Sequence, residues 1–401
     1  MAITPTNQSN QLTPQQQDAM ATQFILQQQL PRRLSLGTFD LHSGQTLRIP
    51  AKTGGLLTAF QIIVRIAGTA TGTVASQDSV LSAFPLISNL QVTDVDGSTR
   101  HQSKPYPIHF FNSQNARYLE GGTNQAFNTN GDNLITSGNY VVGGTGSFAA
   151  GFYLEIPLAQ YRQGSLRGAI NLQVDGSSTA YLELTAANLS ALFDTDDNSE
   201  SLFKSPDSFG TLAPVVTSYS VEVVQVTYQA LAIPSLPAFN PLPFLSVNGV
   251  YSIEGNVETT SDLVPNGDKY LNVPNGRDVR SALFLFINNK LLGGATSVLS
   301  LQPNSTDDVK DVQTVAFLKD MANPIILRSR TANAMEYQLS TGMPLAKGLY
   351  PFDFRQSPVN TNVFGALQAK FTLGSSVTNA KFLQAYEVYY QKGQALANVA
   401  Q

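Results

Sequence analysis

The sequence predicts an all-β chain of two tandem β-sandwiches preceded by one short helix. Three observations carry this. Short runs of β-branched and aromatic residues, separated by Gly, Pro, Asn and Asp clusters, fill the chain from Thr38 to Tyr390. A proline-rich break falls near mid-chain, and segments of the first half return in the second. A length of 401 residues suits two domains rather than one core.

The helix comes first. Thr13-Pro14-Gln15-Gln16 reads as an N-cap, a first-turn proline and a capping-box Gln, and Pro31 disfavours helical geometry just before it, so the spacing predicts a helix from Thr13 to about Leu30. Met20, Ala21, Phe24 and Ile25 share one side, and glutamines occupy most of the rest. A helix with so small an apolar patch is marginal by itself.

Strands are expected near 38–49, 56–67, 86–95, 147–156, 179–186 and 217–229, then near 248–259, 268–273, 279–288, 296–301, 352–355, 363–373 and 380–390. Asp96-Gly97 suits a two-residue hairpin turn. Residues 120–146 read as a long surface loop. Further helix is expected only as a turn at Asn188–Phe193 and a stretch at Thr331–Leu339.

Pro234, Pro237, Pro241 and Pro243 cannot donate to a ladder and stiffen a linker. They divide the chain into an arm and helix at 1–35, a first domain at 36–233, a linker at 234–245, a second domain at 246–393 and a tail at 394–401. Ile156-Pro157-Leu158-Ala159 returns as Met343-Pro344-Leu345-Ala346, and Leu184-Thr185 as Phe371-Thr372, both 187 residues on. Val226-Thr227-Tyr228-Gln229 returns as Val388-Tyr389-Tyr390-Gln391. Two copies of about eight short antiparallel strands is the jelly-roll number.

Composition narrows the function. Charged residues are 13% of the chain, against about 25% in ordinary domains, while Asn, Gln, Ser and Thr supply 126 positions. The net charge is −4 and no Lys/Arg block exceeds Arg32-Arg33, which argues against a direct nucleic-acid partner. The chain has no cysteine, so disulfides and thiolate chemistry are excluded. The longest clean apolar run, Ala282 to Ile287, is far short of a membrane span, and the amide-rich start lacks a secretory signal pattern.

The chemistry-bearing patterns are thin. The three histidines, His42, His101 and His109, give a poor zinc set. Neither a nucleophile elbow nor a phosphate loop occurs. Gly144-Thr145-Gly146-Ser147-Phe148-Ala149 fits a loose dinucleotide fingerprint, but a strand follows where a helix is required, so it reads as a loop. The acidic run from Asp194 to Glu200 resembles a calcium loop, with Ser199 where Gly is needed and Ser205 where the bidentate Glu belongs. Asp307, Asp308 and Asp311 read as a solvated turn. No catalytic, cofactor or metal site is expected.

Several segments, in order, resemble the double-jelly-roll major capsid proteins of tectivirus-type phages, icosahedral viruses with a membrane beneath the shell. They are the Gln-rich start with Leu12-Thr13-Pro14, the stretch from Asn89 through Asp96-Gly97 to Ile108-His109-Phe110-Phe111-Asn112, and Ile156-Pro157-Leu158-Ala159 followed by Leu166-Arg167-Gly168-Ala169. Arg330-Thr331-Ala332-Asn333, Lys347-Gly348-Leu349-Tyr350 and Tyr386-Glu387-Val388-Tyr389 complete the set, which covers about a third of the chain. Residues 120–145 and 290–325 carry no part of it. The resemblance implies a non-enzymatic shell protein of the virion. It would form pseudo-hexameric homotrimers in the host cytoplasm, meet neighbouring trimers and vertex or minor proteins, and hold its N-terminal helix against the viral membrane. On that reading Met20, Phe24 and Ile25 dock on a neighbour or the membrane, and Arg32 and Arg33 sit near anionic headgroups; packing of the helix on its own subunit is the alternative. A carbohydrate-binding tandem sandwich and a cupin-like enzyme are the competing readings. The absence of Trp weakens the first and the scarcity of His the second.

Overall fold

The computed structural model describes residues 14–72, 77–78, 83–114, 144–161, 164–172, 179–193, 203–204, 213–229, 249–259, 267–288, 290–292, 298–300, 309–317, 325–331, 349–354, 358–361, 366–373 and 380–390. Helix α1 (Pro14–Gln28) begins at the expected proline and ends two residues short of Leu30. The first half then supplies β1 (Arg32–Asp40), β2 (Thr46–Pro50), β3 (Leu56–Gly72), β4 (Ile87–Thr93), β5 (Thr99–Ser103), β6 (Gly144–Pro157), β7 (Tyr181–Ala186) and β8 (Ala213–Tyr228). The second supplies β9 (Val250–Thr259), β10 (Asp268–Asn272), β11 (Asp278–Asn288), β12 (Val309–Phe317), β13 (Ile325–Thr331), β14 (Leu349–Asp353), β15 (Ala366–Leu373) and β16 (Ala380–Tyr390).

The first eight strands form the sheets β1-β8-β3-β6 and β2-β7-β4-β5, and the last eight form β9-β16-β11-β14 and β10-β15-β12-β13. Adding eight to each label of the first pair of sheets gives the second pair, so both halves are jelly rolls of one topology. Two of the sequence echoes fall on equivalent strands: Leu184-Thr185 on β7 against Phe371-Thr372 on β15, and Val226 on β8 against Val388 on β16. All four apolar members, Leu184, Phe371, Val226 and Val388, are buried. Met343–Ala346, the proline-rich linker at 234–245, the acidic run at 194–200 and the helix expected after Thr331 lie outside the described residues, as do Asp307 and Asp308.

The halves are joined by backbone as well as by packing. Strand β9 pairs in parallel with β5 through Glu254 opposite Gln102 and Gly255 opposite Ser103. This makes one continuous sheet, β14-β11-β16-β9-β5-β4-β7-β2, across both jelly rolls. Gly255 is required at the joint, because a Cβ there would stand 2.5 Å from Ser103 Oγ.

Several expectations are corrected. The run expected as one strand at 38–49 is two, β1 and β2, broken where Gly44 adopts φ +69°. The hairpin at Asp96-Gly97 exists but is wider than two residues: Gly97 N–H donates to Asp94 O (3.0 Å) and Asp94 N–H to Ser98 O (2.8 Å), a turn closed by one left-handed glycine. Gly144 to Ala149 is not loop but the start of β6, paired along β3 from Gly72 to Ala67. The segment Pro105–Gln114 forms a helix, α2, that the strand-dominated pattern hid. The expected turn at Asn188 is a short helix, α3 (Leu189–Leu192), with the Asn188 side chain accepting from Ser190 N–H.

Strand β16 shows why its own run lacks the alternation of the half-exposed strands. Phe382, Tyr386, Val388 and Tyr390 enter the core of the second jelly roll, with Val279, Phe284, Phe352 and Phe371. The intervening Leu383, Ala385 and Tyr389 join Tyr251, Ile253 and Leu283 in the core of the first. Residues 382–390 are buried on both faces, which removes the polar alternation of a half-exposed strand.

Candidate functional site at the seam and the N-terminal helix

Two regions among the described residues bear on the predicted contacts and on the union of the two halves. The first is the seam between the jelly rolls. His101, on β5, is fully buried. Its Nδ1 accepts the backbone N–H of Ile253 on β9 (3.0 Å), which makes Nε2 the protonated nitrogen and donor to Pro157 O at the end of β6. Ile253 stands one position before the Glu254–Gln102 pair, so the imidazole supplies the next rung of the parallel ladder. Burial, opposed by the two backbone hydrogen bonds and aided by the neighbouring Arg100, pushes the imidazole pKa down to about 4.

Ion pairs and amides surround this rung. Arg100 and Asp94 form a buried pair through contacts of 2.6 and 2.8 Å. Arg277 pairs with Glu254 (3.1 Å) and lies over the Tyr390 ring (4.3 Å), while the Tyr390 hydroxyl donates to Thr99 O (3.2 Å). Burial, with the Glu254 charge adding, raises the Tyr390 pKa to about 12. Gln160 of the first jelly roll donates to Glu387 Oε1 (2.8 Å), and its own oxygen accepts from Arg280 and from the Tyr389 hydroxyl. The Tyr251 hydroxyl reaches the same Glu387 oxygen (2.9 Å). Two glycines admit this contact: a Cβ on Gly168 would meet the Tyr251 backbone at 2.9 Å, and one on Gly249 would meet the Arg167 side chain at 2.3 Å. Where the seam meets α2, a cavity of about 210 Å³ is bounded by Phe84, Pro105, Tyr106, Thr185, Gly255 and Leu383.

The second region is helix α1. Ile25 is fully buried among Leu56, Ala59, Tyr161, Leu166, Val226 and Tyr228 of its own chain, and Phe24 and Leu26 pack against that cluster. The Gln29 side-chain amide closes the contact by donating to Gln229 O (2.6 Å) and accepting from Gln229 N–H (2.9 Å), as a strand partner would. Ile25 therefore belongs to its own subunit rather than to a neighbour or a membrane, and Phe24 lies half-buried beside it. Met20 is exposed, as are Arg32 and Arg33 at the start of β1; Leu30, between helix and strand, is 90% exposed.

The three histidines are not brought together. His42 is exposed, His109 lies with its ring 4.7 Å from that of Phe84, and His101 is in the seam. Among the described residues no three His, Asp or Glu side chains converge as metal ligands, and no helix is long and apolar enough to cross a membrane. Asp311 lies in β12, opposite Thr331 and Thr372. Sequence reasoning missed the roles of His101, Gln160 and Glu387. A glutamate inside the apolar stretch Tyr386–Tyr390 was the one available signal for a buried polar contact.

No family model matches the chain, and no curated protein does. By structure it is similar to the STIV major capsid protein, of Sulfolobus turreted icosahedral virus, with a TM-score of 0.60 and 10% identity over 93% of this chain and 100% of that one. A chain of the PBCV-1 virus capsid matches at TM-score 0.55 and 10% identity, over 90% and 93%. PBCV-1 VP54, as fitted into the virophage Sputnik, matches at 0.53 and 12%, over 91% and 95%. In each case the match runs through both jelly rolls, and the fold of this chain is the double jelly roll of viral major capsid proteins.

Proposed function

We propose that this chain is the major capsid protein of an icosahedral virus, a structural protein and not an enzyme. The observation that carries the reading is the double jelly roll itself, alike to a capsid protein over the full length of that chain and nearly all of this one. The seam supports it: a shared sheet and a desolvated polar network hold the two jelly rolls as one block, which a shell tile needs and two independent binding modules do not. Three such blocks give six jelly rolls and a pseudo-hexameric trimer. The low charge suits lateral contacts that would otherwise desolvate ions. Trimers then meet one another and vertex or minor proteins in the virion, after assembly in the host cytoplasm.

Native mass spectrometry at nanomolar concentration tests the oligomer. The expected species is a trimer of about 129 kDa, three times 43.1 kDa, because an obligate interface survives dilution. A folded monomer overturns the reading.

The same proposal places α1 on the membrane side of the shell. Ile25 and Phe24 fix the helix to its subunit, leaving Met20, Leu30, Arg32 and Arg33 to face an internal membrane. Each arginine near an anionic surface contributes about 1 kcal/mol. The trimer should co-float with phosphatidylglycerol vesicles and lose this on Arg32→Glu with Arg33→Glu. Equal flotation of the two overturns the membrane-side placement and leaves the capsid reading to the mass measurement.

A further inference from the structure

We propose that His101 makes the seam between the two jelly rolls acid-labile, closed while the imidazole is neutral and opened when it takes a second proton. The geometry goes beyond a capsid role and does not depend on one. Both ring nitrogens are committed in opposite senses: Nδ1 accepts from Ile253 N–H of the second jelly roll, and Nε2 donates to Pro157 O of the first. A proton on Nδ1 turns an acceptor into a donor facing a donor, so the rung between β5 and β9 is lost and a backbone N–H is left buried without a partner.

The surroundings do not accommodate the added charge. On β5 the neighbouring charge is Arg100, a cation already paired with Asp94, and it opposes imidazolium. From β6 the facing group is the neutral Pro157 carbonyl. From β9 it is the Tyr251 ring, 6.0 Å away, whose hydroxyl is engaged by Glu387 of β16, while Glu254 is engaged by Arg277. From β4 the cross-strand residue is Val92, which carries no charge. The parallel contact that His101 extends is only two residue pairs long, so one rung is a large part of it.

The sign follows from linkage. Burial lowers the folded pKa to about 4 from 6.5 in the unfolded chain, so the unfolded or opened state binds the extra proton between these values. The stabilisation is complete above about pH 6.5 and is lost as pH falls through 4; at ten-fold per unit the full loss, reached below pH 4, is roughly 300-fold in the closed-to-open equilibrium, and about half of that factor at pH 4 itself.

The experiment is urea unfolding of the full chain from pH 7.5 to 4, beside His101→Gln, whose amide also presents one donor and one acceptor but does not titrate. The wild type is expected to lose roughly 150-fold more than the variant across that interval, since the folded imidazole is half protonated at its end, and parallel pH profiles overturn the proposal. If His101→Gln does not fold, imidazole ¹⁵N shifts of the wild type decide: an Nε2–H tautomer titrating below pH 5 supports the proposal, and titration near 6.5 overturns it. Hydrogen exchange locates the opening. Corrected for intrinsic pH effects, acid should accelerate exchange in 250–255 before 366–373, and uniform acceleration overturns the assignment to the seam.

Discussion

Strands β8 and β16 close equivalent sheets of the two jelly rolls, yet they live in different environments. From Val221 to Val224, β8 alternates buried and half-buried residues, and only from Gln225 to Tyr228, where α1 covers it, are both faces buried. Strand β16 is buried on both faces from Phe382 to Tyr390, because the first jelly roll covers its outer side. One topology thus carries two kinds of sheet: one wet on its outer face and patched by a helix, the other sealed between barrels. The difference shows in composition. The outer face of β8 holds Glu222, Val224 and Val226, whereas that of β16 holds Leu383, Ala385, Glu387 and Tyr389, with the single acid held by Tyr251 and Gln160. A sealed face tolerates a charge only when it is bonded.

The largest effect should come from forcing the seal apart. Gly168 has φ +96°, and a Cβ there would lie 2.5 Å from Leu158 O and 2.9 Å from Tyr251 N. Gly97 has φ +82° with nothing within 4 Å. Gly168→Ala combines a strained backbone with a clash against two backbone atoms and should cost about 4 kcal/mol or more, while Gly97→Ala should cost only about 1 kcal/mol. Thermal unfolding of the two variants compares them directly; equal shifts would mean that the seam yields more readily than its contacts indicate.

The same two environments account for what was legible in the sequence. Half-exposed strands announce themselves by alternation and sealed ones by β-branched and aromatic runs, so β3, β4, β7, β11 and β16 stand close to where periodicity puts them. Strands β12 and β13 were missed. Ile325–Thr331 carries Arg328 and Arg330 inside an otherwise strand-like run, and Thr331 looks like a helix cap when its pairing with Asp311 is unknown. Helix α2 was missed because its apolar and aromatic run fits the strand-dominated pattern around it; its two prolines, Pro105 and Pro107, both fall in the first turn, where proline is tolerated. The candidate site was less legible still. Met20, Phe24 and Ile25 share a helix face on any reading, but that Ile25 fits a pocket of Leu56, Ala59 and Val226 is a long-range fact that no local pattern encodes. His101 has no signal of its own, since its partners are two backbone groups.

The patched face is the next test. Ile25→Ala removes the side chain that fixes α1 to the wet sheet and should cost about 3 kcal/mol of docking free energy. Because an isolated helix of 15 residues is marginal, the loss should appear as undocking of α1 rather than global unfolding. Limited proteolysis should cut Pro14–Gln28 early while the two jelly rolls survive, and a global fall in stability with no early cut would show that the helix is part of the common core.

The smallest effect separates a rung of the seam from its packing. Tyr390→Phe deletes the hydroxyl that donates to Thr99 O but keeps the ring under Arg277 and inside the second core. One neutral hydrogen bond is worth about 1 kcal/mol, and its loss leaves a carbonyl at the seam short of a donor. The urea midpoint should fall accordingly with an unchanged m-value, since no new surface is exposed in the native state. A broadened transition with a lower apparent m-value in place of a simple midpoint shift would mean that this one bond holds the two jelly rolls in a single cooperative unit, and that the sealed face depends on hydrogen bonds across the seam more than on the apolar side chains between them.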